Sequence, residues 1–415
     1  MRDRARILIL IGGHLWTSPR SQKEAEVLAA AGHEVTINGM WFDDVGAARD
    51  MKLVAGKPWQ YRPILDIRGN TSVSRFCNVA VRARRRVDRE VCSRLGARLP
   101  AALGYGAQQF LRAALRHSAD LTIVHSEPNL WVGNALLDRG MRVGVDFEDW
   151  FSEDLRGDDR QSAAMRWLQD LEGRLARECV YSVTTSRALS NALAREYSAP
   201  EPAVVYNVFP FAETSAVDKT FRDRNNLEIP SIHWFSQTIG PGRGLEMFFE
   251  AARETTLPFE VHLRGNMAMN YADSFGRLVP NHLRERVFIH ETVPNDALLS
   301  RISEHDIGLA LETSARASRN LSITNKLFQY LQGGLAVLAT RTEGQVEVFS
   351  KEPGVGLLIE NNDVAGLTNA LSTLLGDRQR LHAAQTASMR AAERTFCWER
   401  QRDTIIHYVE RALAA

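Results

Sequence analysis

Ile7-Leu8-Ile9-Leu10-Ile11-Gly12-Gly13-His14 is an unbroken apolar run stopped by a glycine turn. A run without alternation fits a strand covered on both faces, the pattern of a parallel sheet. Ser18-Pro19 then supplies a helix cap and a first-turn proline, and the predicted helix runs to about Ala31, where Gly32 stops it. Glu34-Val35-Thr36-Ile37 is the next strand. Strand, helix and strand in that order require a right-handed crossover and a parallel sheet.

The alternation continues outward from this unit. Leu121–Val124 and Arg142–Val145 read as strands around a helix that ends at Gly140. Tyr181–Thr184 and Ala203–Tyr206 flank a helix predicted from about Ser186 to Tyr197. Another helix, from about Ser162 to Arg177, carries Met165, Leu168, Leu171 and Leu175 on one stripe. Pro210, a mixed-charge stretch and Pro230 break the pattern between 209 and 230. Beyond them it restarts with strands at Ile232–Phe235, Glu260–Leu263, Val287–Ile289, Ile307–Leu311 and Leu335–Ala339. Two successive doubly wound α/β halves imply a cleft between them. The expected domains are 1–208 and 209–396, with a closing helix over 397–415 whose Ile405, Ile406, Val409 and Leu413 share one side.

Composition narrows the function. A net charge of +1 over 415 residues excludes a general nucleic-acid binder, whose footprint is a strong basic excess. The four cysteines are scattered without CxxC or histidine-rich spacing and read as reduced thiols, so neither a disulfide framework nor a zinc site is expected. No apolar stretch is long enough to span a membrane, and the short run at Ile7–Ile11 lacks the cleavage site of a signal peptide. A cytoplasmic location is therefore expected. GxxxxGK[ST] does not occur, which excludes a P-loop ATPase. One span departs from the even charge: Arg75 to Arg116 holds ten arginines against Asp88 and Glu90, about +8 locally. It reads either as a solvated helix face or as a surface that meets acidic lipid head groups or a phosphorylated acceptor, which would make the protein peripheral at the inner membrane surface.

The sharpest chemical signal is a pair of cations, each at a predicted helix start in the second half. Arg243 lies in Gly240-Pro241-Gly242-Arg243-Gly244-Leu245-Glu246, and Lys326 in Ser322-Ile323-Thr324-Asn325-Lys326-Leu327-Phe328, where Thr324 or Asn325 can cap the helix and Gly333-Gly334 end it. A cation there opposes the helix dipole, at about 0.3–1 kcal/mol. The same helix starts favour an anion, and a diphosphate between them would gain roughly 1.5–3 kcal/mol from each charge-assisted hydrogen bond.

With those residues in view, Asn320–Ala339 resembles the donor-site helix and following strand of family 4-type retaining glycosyltransferases of the GT-B fold. The Gly242–Glu246 stretch resembles that family's first donor-phosphate loop. Gly12-Gly13-His14 with Pro19-Arg20 and Lys23-Glu24-Ala25 is similar to its opening turn and helix. The resemblance implies two Rossmann-like domains facing a central cleft, with the last helix packing back on the first domain. It implies a nucleotide-diphosphate sugar, UDP-sugar favoured, as co-substrate, a carbohydrate, lipid-linked or small-molecule acceptor, and retention of configuration. Arg243 and Lys326 would hold the diphosphate and stabilise the leaving group. Donor contacts are expected from Gly12, Gly13, Gly242, Gly265, Glu312, Ser322, Ile323, Thr324, Gln329 and Glu347, with no metal and no resident cofactor. Gln329 stands where the family has a ribose-binding glutamate, and Asn207 resembles its interdomain asparagine.

In the first half, His125 ends one strand, and the next ends in Asp146-Phe147-Glu148-Asp149. Carboxyl ends of α/β strands are where ligands bind. His125, Glu148 and Asp149 are candidates for positioning or deprotonating the acceptor, although the family often has a histidine where Glu148 stands. Two other readings stay open: a GT-B nucleotide-sugar 2-epimerase, and a non-catalytic nucleotide-sugar-binding partner of an assembly complex.

Overall fold

The computed structural model describes residues 4–154, 162–314 and 316–414, and the chain divides into two compact units. The first comprises Met1–Val205 and Gln401–Ala415, the second Tyr206–Arg400.

The first unit is built on a seven-stranded sheet in the order β3-β2-β1-β4-β5-β6-β7. Its strands are β1 (Arg6–Leu10), β2 (Glu34–Trp41), β3 (Gln60–Asp66), β4 (Leu121–Val124), β5 (Val143–Phe147), β6 (Tyr181–Thr184) and β7 (Ala203–Val204). Every pairing is parallel. Ile7, Leu8, Ile9 and Leu10 are sealed from solvent, as the apolar run requires. The second unit repeats the scheme with six parallel strands in the order β10-β9-β8-β11-β12-β13. These are β8 (Ser231–Ile239), β9 (Glu260–Met267), β10 (Val287–His290), β11 (Ile307–Ala310), β12 (Ala336–Thr340) and β13 (Gly356–Ile359). Its core centres on Trp234, Phe248, Phe249 and Phe259 with the strand leucines and isoleucines around them.

In each sheet the chain leaves in one direction, returns to the centre and continues in the other, so each has one point where the order reverses. In the first that point lies between β1 and β4, in the second between β8 and β11. Loops leaving those adjacent strands diverge and open a crevice at the carboxyl edge.

Several helix starts follow the expected chemistry. Ser162 caps Ala163–Glu178, Ser186 caps Arg187–Tyr197 and Thr342 caps Glu343–Lys351, each hydroxyl accepting a first-turn N–H. Ser18 is an exception: Pro19 starts the Pro19–Ala30 helix, but the Ser18 side chain makes no cap bond. The basic span is chiefly one helix, Ser72–Leu95, capped by the Thr71 hydroxyl and ended by Gly96 in the left-handed region. The closing helix, Trp398–Ala414, belongs to the first unit from Gln401 onward. Ile405, Val409 and Ala412 are buried there, and Tyr408 lies 6.4 Å from the Tyr181 ring.

Candidate functional sites in the two units

In the second unit β8 gives way to Gly240-Pro241-Gly242-Arg243-Gly244, and the Leu245–Arg253 helix follows. Gly244 takes φ +83°, and a Cβ there would stand 2.5 Å from the Leu311 carbonyl oxygen. Glycine fits best here: the left-handed backbone strains other residues, and a Cβ would collide with the chain leaving β11. Arg243 is therefore held at the β8–β11 reversal point. Its half-buried side chain makes no hydrogen bond or ion pair among the described residues.

The chain leaving β11 carries Glu312. Its backbone is fixed by Thr340 of β12, whose hydroxyl accepts from the Glu312 N–H at 2.8 Å and donates to its carbonyl at 2.7 Å. The Glu312 carboxylate accepts from Lys326 Nζ at 2.6 Å. Burial pulls this carboxyl upward, but Lys326 and the Thr324 hydroxyl hold it below the usual carboxylate range. Lys326 also lies 5.7 Å from the ring centre of buried Trp234.

The Asn325–Gly333 helix starts at Thr324, whose side chain makes no cap bond. Gly244, ahead of Leu245, has no side chain to offer. Neither helix start is capped by its own N-cap side chain. An uncapped helix start beside a cation is a fit for an anion.

The remaining candidates of this unit fall in different places. Ser322 and Ile323 form the turn before the Asn325–Gly333 helix, and Ile323 is buried. A Cβ on Gly344 would strike the Ser322 carbonyl, so that turn rests directly on the Glu343–Lys351 helix. Gln329 is half-buried one turn into the Lys326 helix. Gly242, with φ +68°, is exposed in the Arg243 loop. Gly265 lies inside β9, where the β8–β9 register shifts and a Cβ would meet the Ser236 carbonyl. Glu347 accepts from the Tyr206 hydroxyl, and Lys351 lies 3.9 Å away. Asn207 follows Tyr206 at the start of this unit.

The first unit gathers a second cluster at its own reversal point. Gly12, in the loop after β1, would place a Cβ 2.4 Å from Ser126 Oγ, so the two loops after β1 and β4 touch. The Gly13 carbonyl accepts from the Met40 N–H. His125 is buried beneath them. It contacts Glu148 through Nδ1 at 2.6 Å and Glu24 through Nε2 at 3.1 Å. Asp146 Oδ2 lies 4.0 Å from the ring and is held by Arg20 Nε at 2.6 Å, while Arg20 Nη1 donates to the Val205 carbonyl at 2.7 Å.

Burial opposes charge on His125, yet Glu148, Glu24 and Asp146 together raise it to about 10. Burial raises Asp146 to about 6 against the pull of Arg20 and His125. Glu148 would also be raised by burial, but His125 and Arg20 hold it below its usual range. The result is a buried imidazolium between two carboxylates. Glu148 keeps its side chain 32% exposed, so this group reaches solvent from a buried ionic base. Glu24, His125 and Asp146 bring ligand atoms within 4.8 Å of one another. A protonated imidazole has no lone pair for a metal, and both His125 nitrogens already face carboxylates. Asp149 is exposed beside Glu148.

Sequence reasoning placed His125 and Glu148 but did not link them to Glu24 and Arg20. The signal was the Arg20/Glu24 spacing, which puts both on one side of the first helix. Trp234 and Thr340 carried no polar pattern that would have marked them.

Residues 241–406 match the family model described as Glycosyl transferase-like. No curated protein matches the chain by sequence. Solved structures match it along its whole length. Sucrose-phosphate synthase of Thermosynechococcus elongatus is 14% identical with a TM-score of 0.70, covering 99% of this chain and 100% of that one. Anabaena HepE in complex with UDP-glucose is 14% identical at 0.71, over 98% and 100%. A glycosyltransferase of Rickettsia africae is 12% identical at 0.69, over 99% of each. The fold is that of the GT-B glycosyltransferases.

Proposed function

We propose that this GT-B chain is a glycosyltransferase that takes its sugar from a nucleotide diphosphate held at the β8–β11 reversal point. The observation that carries the reading is Gly244 pressed on the Leu311 carbonyl. It holds the Arg243 loop against the chain that leaves β11, whose Glu312 is paired with Lys326 of the Asn325–Gly333 helix. The diphosphate would take the two uncapped helix starts and the Arg243 guanidinium, with Lys326 turning from Glu312 toward phosphate. As the bond between the sugar C1 and the β-phosphate oxygen breaks, charge grows on that oxygen. Arg243 and Lys326 stabilise it without a proton transfer. A UDP-sugar is favoured, in keeping with the UDP-glucose bound by HepE. The likeness of 320–339 to the donor helix of retaining enzymes supports retention of configuration.

The first unit would serve the acceptor. Glu148, kept ionised by the His125 imidazolium and open to solvent, orients an acceptor hydroxyl and takes its proton as the new C1–O bond forms.

The test is direct: incubate the purified chain with a panel of nucleotide sugars, with and without carbohydrate acceptors, and follow nucleotide release. Release that depends on acceptor supports transfer. An isomerised donor would show a 2-epimerase, and tight binding without turnover a non-catalytic binder. Either result overturns the proposal.

A further inference from the structure

The Ser72–Leu95 helix presents three chemically distinct sides. Its inner side buries Ser74, Asp88 and Cys92 against the first unit. A second side leaves Val73 (74%), Phe76 (74%), Val79 (69%) and Val87 (57%) open to solvent, with Ala80 and Ala83 exposed among them. At about 3.6 residues per turn, positions 73, 76, 80, 83 and 87 form one continuous strip, with Val79 at its border. Glu90 also lies in this sector, and Arg94 neutralises it at 2.5 Å.

The third side, between the other two, carries Arg75, Arg82, Arg86 and Arg89. Arg75, Arg86 and Arg89 are exposed and make no ion pair or side-chain hydrogen bond among the described residues. Other arginines of the helix are engaged: Arg84 pairs with Asp88 at 2.6 Å, and Arg85 lies 4.4 Å from the Tyr105 ring centre. The cations left unused thus lie together on this third side, with Arg75 and Arg86 nearest Val79 at the edge of the apolar strip.

A solvated helix face would be polar throughout, and contiguous exposed apolar side chains on a surface mark an interaction site. We propose that this face docks on an anionic lipid bilayer. Val73, Phe76, Val79 and Val87 enter the boundary between head groups and acyl chains, while Arg75, Arg86 and Arg89 meet lipid phosphates. The charge arrangement selects this occupant: a convex strip on one helix, with unneutralised cations along one border, complements a flat negative surface. The helix, about 36 Å long, lies along the membrane plane. It does not cross, since no helix among the described residues is long and apolar enough to do so. This inference stands apart from the donor-site reading.

The experiment is co-sedimentation of the full chain with phosphatidylcholine vesicles, with and without phosphatidylglycerol, at low and high salt. The expected result is binding to the anionic vesicles that high salt reverses. Arg75→Gln/Arg86→Gln/Arg89→Gln weakens it by roughly tenfold or more. Phe76→Ser/Val79→Ser weakens it even at low salt, and both variants keep the wild-type circular dichroism spectrum and unfolding midpoint. The proposal is overturned if the chain stays in the supernatant at low salt or binds neutral vesicles equally well. It is also overturned if the chain self-associates on size exclusion and Phe76→Ser/Val79→Ser abolishes that association, which would make the face a contact between copies.

Discussion

Lys326 and Glu312 form an ion pair of 2.6 Å in which both side chains are mostly shielded, 14% and 19% exposed. Arg243, anchored one residue from the Gly244–Leu311 contact, has no such partner among the described residues. The two cations assigned to one ligand therefore differ in what they do when that ligand is absent.

Arg243→Ala should lower affinity for a nucleotide diphosphate by roughly tenfold to a hundredfold, the loss of one charge-assisted hydrogen bond. It should leave the unfolding midpoint in denaturant unchanged. Lys326→Ala should lower affinity similarly and destabilise the fold as well, because Glu312 is left shielded without its counter-charge. Calorimetric titration and denaturant unfolding separate the two effects. Unchanged affinity in both variants would remove the basis of the donor site.

Gly244→Ala introduces a Cβ into a left-handed backbone position and against a main-chain oxygen that cannot move aside. The conformational strain alone is about 1–2 kcal/mol, so unfolding should begin earlier in denaturant. Nucleotide affinity should fall with it, since relief of the clash displaces the Arg243 loop. Wild-type values on both measurements would contradict the close approach.

Glu148→Gln should cut acceptor-dependent turnover by about a hundredfold, the usual scale for a lost proton acceptor. Donor affinity should stay within a factor of about two, because in this reading Glu148 acts on the acceptor hydroxyl while Arg243 and Lys326 hold the diphosphate. Measuring kcat and donor Kd on the same preparation distinguishes this from general damage.

Two buried histidines should respond to pH in opposite senses. His125 is raised to about 10, so its contribution is fully present below about 6.5 and is lost as pH climbs toward 10. The stability advantage of wild type over His125→Gln should shrink across that interval. His262 is depressed to about 3, first by burial and then by repulsion from His290, Arg224 and Arg264. Between pH 6.5 and 3 the unfolded chain binds its proton and the folded chain does not, so stability falls on acidification. In His262→Gln that acid slope should be shallower. Denaturant midpoints across pH 4–10 check both.

The parallel sheets were legible because their strands are sealed on both faces, and such strands write long apolar runs such as Ile7–Ile11. The strand Gln60–Asp66 was not, since it lies at a sheet edge where Arg62 and Pro63 break the run. Gly356–Ile359 was missed for a related reason: it is a short edge strand with little burial of its own. At the candidate sites, the cation at each helix start was visible as a local rule broken. What sequence could not show was the company those residues keep. Glu24 meets His125 across 101 positions and Arg20 meets Asp146 across 126, distances that no local pattern spans. Ser18 shows the converse, a cap residue in the right place whose side chain does not cap.

The first unit is assembled from two stretches of chain, with the whole of the second inserted between them. During synthesis, then, the residues before Tyr206 must wait for those after Arg400. The nascent seven-stranded sheet leaves the ribosome without the surface formed by Ile405, Val409 and Ala412, and acquires it only after the insert has emerged. A chain clipped after Arg400 would therefore be expected to damage the half of the protein farthest from the cut in sequence, while the neighbouring half keeps every one of its strands.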